Sequence, residues 1–360
     1  MKLVLPLAVL VVLGTTITAP AAEAGPLATA HTVGRVTQTT NAVRYTWPGI
    51  SFEGRFRGTG VGIALDDSVN DYDVQIDGTT VATLVTPGRT THWIRGLSPA
   101  THGVRLVKRT ESPWAEGEFD GFVAAAGGAL LAPPRARQRQ IEFIGDSFTA
   151  GYGNTSTTRD CSATGGVDRN TNADLSFGAL TARRLGADHQ ITAQSGLGVV
   201  RNYNGGNPDV DFRTFYDRAS QNGGVWPVPR TWHPQVVVVG LGINDFSTTI
   251  NPGEPWTPES LVAAYKAAYL GFLDELRARY GAGTTIVVSA TPAGSTTAFP
   301  DTAREIVDER NAAGDGRVHY WYYDDPRLDH LGCDWHPSLN DHRVLSDLLT
   351  TRLAEVPIRW

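Results

Sequence analysis

The sequence predicts an antiparallel β-sandwich followed by an α/β domain built on a parallel sheet, and three observations predict it. Residues 33 to 131 alternate apolar and polar positions in short runs broken by glycine turns, with no helical segment among them. Residues 141 to 360 instead alternate apolar strands with long stretches of helical spacing, the rhythm of a sheet covered on both faces. Between the two, Pro133-Pro134 and the Arg/Gln-rich stretch 135–140 interrupt pattern and apolarity together and read as a linker. Roughly 335 residues beyond the N-terminal segment are more than one core usually organises, which also favours two domains.

Taken in order, Lys2, the apolar run Leu3 to Leu13 and the small residues of Ala22-Glu23-Ala24 form the pattern of a secretory signal peptide over residues 1–24. The run is short of the ~20 residues a spanning helix needs, so an uncleaved anchor is the weaker reading. A secreted, extracellular chain starting at Gly25 is expected, with no membrane partner after cleavage. The sandwich, over residues 30–134, has strand-like runs at 42–47, 50–53, 60–65, 71–76, 80–85, 101–108 and 118–124, with Asp77-Gly78 as a two-residue hairpin turn. In the second domain, residues 141–360, strands are expected at 141–144, 191–194, 235–241, 284–290 and 318–322. Helices are expected at 173–185, 258–280, 302–312 and 338–354, Pro258 being suited to a first helical turn.

Composition excludes several functions. The net charge is −6 and the 31 Lys and Arg residues are thinly spread, so no basic stripe exists to track nucleic acid. Asp66, Asp67, Asn70, Asp71 and Asp73 lack the glycine and terminal glutamate of a Ca²⁺ loop and read as a solvated hairpin connection, and no H-E-x-x-H motif is present. No catalytic metal is expected. The two cysteines, Cys161 and Cys333, are expected to pair in an oxidising compartment, with two buried free thiols as the alternative.

Three strand ends carry candidate chemistry. The first runs into Gly145-Asp146-Ser147, the second into Ser195-Gly196-Leu197-Gly198, and the third into Gly240-Leu241-Gly242-Ile243-Asn244-Asp245. In an open α/β sheet these ends meet at one crevice. Ser147 is then a candidate nucleophile, and the main-chain N–H groups of Ser147 and Gly196 with the Asn244 amide are candidate donors to an oxyanion. Of nine histidines, His336 lies after the last strand and just before the terminal helix, where a loop can bring imidazole over Ser147 as its base. Trp335, beside it, is a candidate stacking platform for a sugar ring.

These blocks resemble the SGNH/GDSL hydrolases, in chain order Gly145-Asp146-Ser147, Gly196, Gly242-x-Asn244-Asp245 and His336-Pro337. With the preceding sandwich, Gly151-Tyr152-Gly153-Asn154 and Gly332-Cys333-Asp334-Trp335-His336-Pro337, the sequence resembles carbohydrate esterase family two over almost its whole length. The resemblance implies a jelly-roll N-terminal domain, a flavodoxin-like three-layer α/β/α hydrolase domain, acetyl esters of plant polysaccharides such as xylan or glucomannan as substrates, and no cofactor. A monomer is expected. The broader pattern puts an acid three residues before the histidine, where this chain has Cys333. Asp334, two before, is expected to orient His336, in preference to a backbone carbonyl. A bridge between Cys161 and Cys333 would tie the two catalytic loops together. Other readings are a lipid acyl hydrolase with the same nucleophile, and a carbohydrate-binding protein with a vestigial hydrolase site.

Overall fold

The computed structural model describes residues 25–360. The expected signal peptide, residues 1–24, lies outside them. The first domain holds β1 (Ala30–Val33), β2 (Thr37–Gln38), β3 (Val43–Tyr45), β4 (Ser51–Asp67), β5 (Asp71–Ile76), β6 (Thr79–Val85), β7 (Gly88–Lys108), β8 (Gly117–Ala124) and β9 (Ala129–Leu130). All pair antiparallel.

Two strands expected near 50–53 and 60–65 are one strand, β4, paired along its length with a still longer β7. The register of that pair shifts between Gly58 and Gly60. Before the shift β4 has β1 on its other side, and β7 goes on to pair with β5; after the shift β4 pairs with β8. The bulge therefore turns a single hairpin through the corner of the sandwich, so both layers share it. Inward residues of the two layers meet in one core, with Phe52 stacked on Phe119 at 4.0 Å between ring centroids. Glycine made this segment read as a turn, whereas here it marks a bend inside a strand.

The acidic segment 66–73 is solvated only around its tip, Ser68 and Val69, and most of its carboxylates are not, contrary to expectation. Asp67, Asn70, Asp71 and Asp73 are buried. Asp67 accepts from the Asn70 side chain at 2.7 Å and from the Tyr72 hydroxyl, Asp71 pairs with Arg169, and Asp73 accepts from Asn172 at 2.9 Å. The last two contacts join the domains, a demand that local pattern does not reveal.

The second domain carries β10 (Arg139–Gly145), β11 (Ala187–Ala193), β12 (Val236–Gly240), β13 (Thr285–Ala290) and β14 (Val318–Tyr322), all parallel, in the order β11-β10-β12-β13-β14. Arg139 and Gln140, expected in the linker, already pair with Ala187 and Asp188. The helices are α1 (Ser147–Ala150), α2 (Gly166–Asn170), α3 (Phe177–Leu185), α4 (Arg213–Tyr216), α5 (Ile243–Phe246), α6 (Pro258–Tyr280), α7 (Ala298–Ala312) and α8 (Leu339–Glu355). Alternate strand residues face opposite layers. Ile141, Phe143, Val236 and Val238 pack with α3 and α8, while Ile144, Val237, Val239 and Ile286 pack with α6 and α7. Chain order reverses between β10 and β12, and ligand crevices open at such a switch point, outside the carboxyl ends of the strands.

A buried ion pair crosses from the sandwich to an interior strand of this sheet. Arg35 donates to Glu142 of β10 at 2.6 Å, and Glu142 also accepts from Thr192 at 2.8 Å and Tyr280 at 2.7 Å. Breaking such a pair by removing one partner costs about 3–5 kcal/mol, because the other charge stays buried. Among the described residues no helix is long and apolar enough to cross a membrane.

Candidate active site

Ser147 is the first residue of α1, directly after β10, and the local sequence makes that turn. Gly145 sits against Gly240, and a Cβ there would lie 2.1 Å from Thr149 Oγ1 and 3.1 Å from the Gly240 carbonyl. Asp146 caps the helix, its carboxylate accepting from Phe148 N at 3.0 Å. Gly151 ends it at φ +78°, in the left-handed region. Asp146 is fully buried, and desolvation pushes its carboxyl up to about 7.

His336 arrives from the other side. Its Nε2 lies 2.8 Å from Ser147 Oγ, within reach for proton transfer. Its Nδ1 lies 3.0 Å from the Cys333 carbonyl and 3.2 Å from the Asp334 carbonyl. The Asp334 carboxylate, expected on that nitrogen, instead accepts from the Tyr152 hydroxyl at 2.9 Å. The cause is backbone conformation. Asp334 and Trp335 both have positive φ, +52° and +63°, so the segment is a tight turn rather than the extended strand that would have put side chains two apart on one side. The turn aims carbonyls at the imidazole and swings the carboxylate away. Tyr152 packs its ring on His336 at 4.2 Å between centroids, and Phe148 meets it edge-on at 5.5 Å. Burial by these rings holds the imidazole below its ordinary range, while the two carbonyls and the Asp334 charge oppose that shift.

The ends of β11 and β12 lie beside Ser147, since Gly145 is in register with Ala193 and with Gly240. Gly196 has φ +79°, and its main-chain N–H donates to no other group among the described residues. Asn244 is buried, and its side-chain amide donates to the Leu197 carbonyl at 2.9 Å and lies 3.5 Å from Asp146 Oδ2. The structure thus gathers Ser147, His336, Gly196 and Asn244 at one crevice. An arrangement of a hydroxyl on an imidazole, with amide donors nearby, is suited to acyl transfer.

The comparisons agree with this chemistry. The Carbohydrate esterase 2 N-terminal family matches residues 32–134, and the GDSL-like Lipase/Acylhydrolase family matches residues 143–347. An acetylxylan esterase / glucomannan deacetylase of Cellvibrio japonicus (strain Ueda107) is 38% identical over 88% of this chain and 86% of its own length. The chain belongs to carbohydrate esterase family 2. Two solved structures share its whole architecture. One is a carbohydrate esterase whose active site displays divergent catalytic and non-catalytic binding functions, 36% identical with a TM-score of 0.83 over 91% of this chain and 98% of that one. The other is a family two carbohydrate esterase from Clostridium thermocellum in complex with cellohexaose, 30% identical with a TM-score of 0.80 over the same shares.

In this carbohydrate esterase the loop around Gly196 is anchored from both ends by residues that the sequence did not single out for that task. Upstream, Glu111 of the sandwich accepts from both the N–H and the hydroxyl of Ser195. Downstream, the buried Asp245 carboxylate accepts from the N–H groups of Val199, Val200 and Arg201 at 2.9–3.1 Å. Desolvation pushes Asp245 up to about 6, against those hydrogen bonds. Asp245 had a signal, since it follows Asn244 directly. Glu111 had none, because its partner is 84 residues away in another domain.

Cys161 and Cys333 are bridged across a sequence separation of 172 residues. Around the bridge, Cys333 N donates to the Gly153 carbonyl at 3.2 Å, Asp334 N to the Arg159 carbonyl at 2.8 Å, and the Arg159 guanidinium to the His330 carbonyl at 2.9 Å. The loop bearing His336 is therefore tied to the segment that follows Ser147. Trp335 is 66% exposed, with the Arg159 guanidinium 5.5 Å from its ring. Trp226 and Trp232 are buried in a small cluster and take no part in the crevice.

Proposed function

We propose that this esterase is a secreted enzyme that removes acetyl groups from polysaccharide, acetylated xylan or glucomannan, through an acyl-enzyme on Ser147. The observation that carries the mechanism is the 2.8 Å contact between Ser147 Oγ and His336 Nε2. His336 takes the hydroxyl proton as Oγ attacks the acetyl carbonyl, and the negative oxygen is held by the Ser147 and Gly196 N–H groups and the Asn244 amide. The sugar hydroxyl leaves with the proton returned by His336. Water, deprotonated by the same imidazole, then releases acetate and restores Ser147.

In this reading the carbonyls of Cys333 and Asp334 set the tautomer, because they accept from Nδ1–H and leave Nε2 free to accept from serine. Asp334 acts at one remove, fixing Tyr152 against the ring. Exposed Trp335 offers its face to a sugar. The N-terminal pattern and the Cys161–Cys333 bridge support export, and the names of the relatives support the substrate class.

The test is ¹H NMR of acyl release, acetate from acetylated xylan and acetylated glucomannan and palmitate from a palmitate ester, comparing wild type with Ser147→Ala. Release from glycan by wild type alone is expected. Preference for palmitate, or activity kept by Ser147→Ala, overturns the proposal.

A further inference from the structure

We propose that the sandwich helps form a sugar subsite at the domain junction, in which its Trp114 stacks on one pyranose ring of the polysaccharide and Asp168 of the second domain accepts hydrogen bonds from the ring's hydroxyls. This rests on the deacetylase reading above. The loop between β7 and β8 turns at Ser112, where Ala115 N donates to the Ser112 carbonyl at 3.1 Å. Residues 110–113 are buried, yet Trp114 is 64% exposed.

The turn is held in place rather than loose. The buried Lys108 ammonium donates to the carbonyls of Thr110 at 2.7 Å and Glu111 at 2.6 Å, and the Glu111 carboxylate is bound to Ser195. A main chain held in this way fixes the point from which the indole projects before any ligand arrives, which lowers the ordering cost of binding. The apolar face of the indole stands in water, and a ligand that covers it gains from removing that surface from solvent.

Next to Trp114 lies a cavity of about 100 Å³, walled also by Tyr152, Asp168 and Ser195. Tyr152 is the ring packed on His336, and Ser195 precedes Gly196, so the cavity adjoins both the base and the oxyanion loop. Its ionisable lining residues are Glu111, Asp168 and Tyr152, with no Lys, Arg or His among them. That lining disfavours phosphate, uronate or any other anion. An aromatic face with a carboxylate beside it suits a neutral pyranose, which has apolar C–H faces and a rim of hydroxyl donors. Its position beside the crevice fits a backbone residue next to the one being deacetylated.

The experiment compares wild type, Trp114→Ala and Trp114→Phe on acetylated xylo-oligosaccharides and on p-nitrophenyl acetate, which has no sugar. The ratio of kcat/KM on oligosaccharide to that on p-nitrophenyl acetate is expected to fall at least tenfold in Trp114→Ala, mainly through KM, and less in Trp114→Phe. A second measurement titrates Ser147→Ala, with and without Trp114→Ala, with unacetylated xylo- and manno-oligosaccharides by NMR. At least tenfold weaker binding without the indole is expected. An unchanged ratio with unchanged affinity overturns the subsite, and so does an equal loss on both esters, which would make Trp114 a structural residue. If wild type releases acetate from no glycan, the deacetylase reading falls, and the saccharide titration still decides the subsite.

Discussion

The two loops that bring Ser147 and His336 within 2.8 Å are built in opposite ways. The serine turn is mostly local: Gly145, the Asp146 cap and Gly151 are all within four residues of Ser147 and act through their own backbone or nearest neighbours, the exception being the Gly240 carbonyl that faces Gly145. The histidine turn is tertiary. Its two consecutive left-handed residues, Asp334 and Trp335, occupy backbone states that cost on the order of 1–3 kcal/mol each, and they are kept there by a disulfide and by hydrogen bonds to Gly153 and Arg159. Of the two residues, Ser147 is thus placed mainly by short-range contacts. The other is specified by contacts with chain more than 170 residues away.

The largest effect is expected where the serine turn is broken. In Gly145→Ala the new methyl meets both Thr149 Oγ1 and the main-chain carbonyl of Gly240; the threonine can rotate, but the carbonyl belongs to the central sheet. Turnover of p-nitrophenyl acetate should fall by about a hundredfold or more, since displacing the reacting atoms by an ångström is enough for that loss. A loss under tenfold would show that the serine turn tolerates what its sterics forbid.

Cutting the tertiary design should cost less in rate and more in stability. Cys161→Ser releases a loop closure that chain entropy values at roughly 5 kcal/mol, an upper figure. A lower melting temperature and a kcat reduced about tenfold are expected, because the hydrogen bonds from Cys333 N and Asp334 N to the Gly153 and Arg159 carbonyls still hold the turn. Unchanged kcat at temperatures where the variant is folded would confine the bridge to stability.

The smallest effect sharpens the comparison at the base itself. With main-chain carbonyls on Nδ1, Asp334→Asn should lower kcat by less than tenfold, about 1.4 kcal/mol of barrier. A larger loss would return the orienting role to the carboxylate. The pH profile gives an independent sign. His336 acts as a base only when neutral, and burial lowers its pKa, so the acid limb of kcat/KM should lie below the ordinary imidazole value of about 6.5. The Asp334 charge opposes that lowering, so its removal should move the limb to still lower pH. A limb moving upward in Asp334→Asn contradicts the assignment.

What could be read in the sequence follows the same division. The five parallel strands, the long helices and the three glycine-rich strand ends were legible because period, capping and turn chemistry act over a few residues. The merging of two predicted strands into β4 was not legible. Glycines at 58 and 60 signal a break locally, and only the pairing with β7 shows that the strand continues through the corner.

The sequence by itself determined the order of the two folds, the crevice residues Ser147, Gly196, Asn244 and His336, and the pair of cysteines available for a bridge. Tertiary structure alone decided which atoms face His336 Nδ1, because residue spacing fixes the side on which Asp334 points only if the backbone is extended, and here it is not. It also decided that Glu111 and Trp114 of the sandwich stand at the site. Ser195, which Glu111 binds, and Tyr152, which walls the same cavity as Trp114, are distant in the chain, and nothing in the local pattern of residues 109–116 records that neighbourhood.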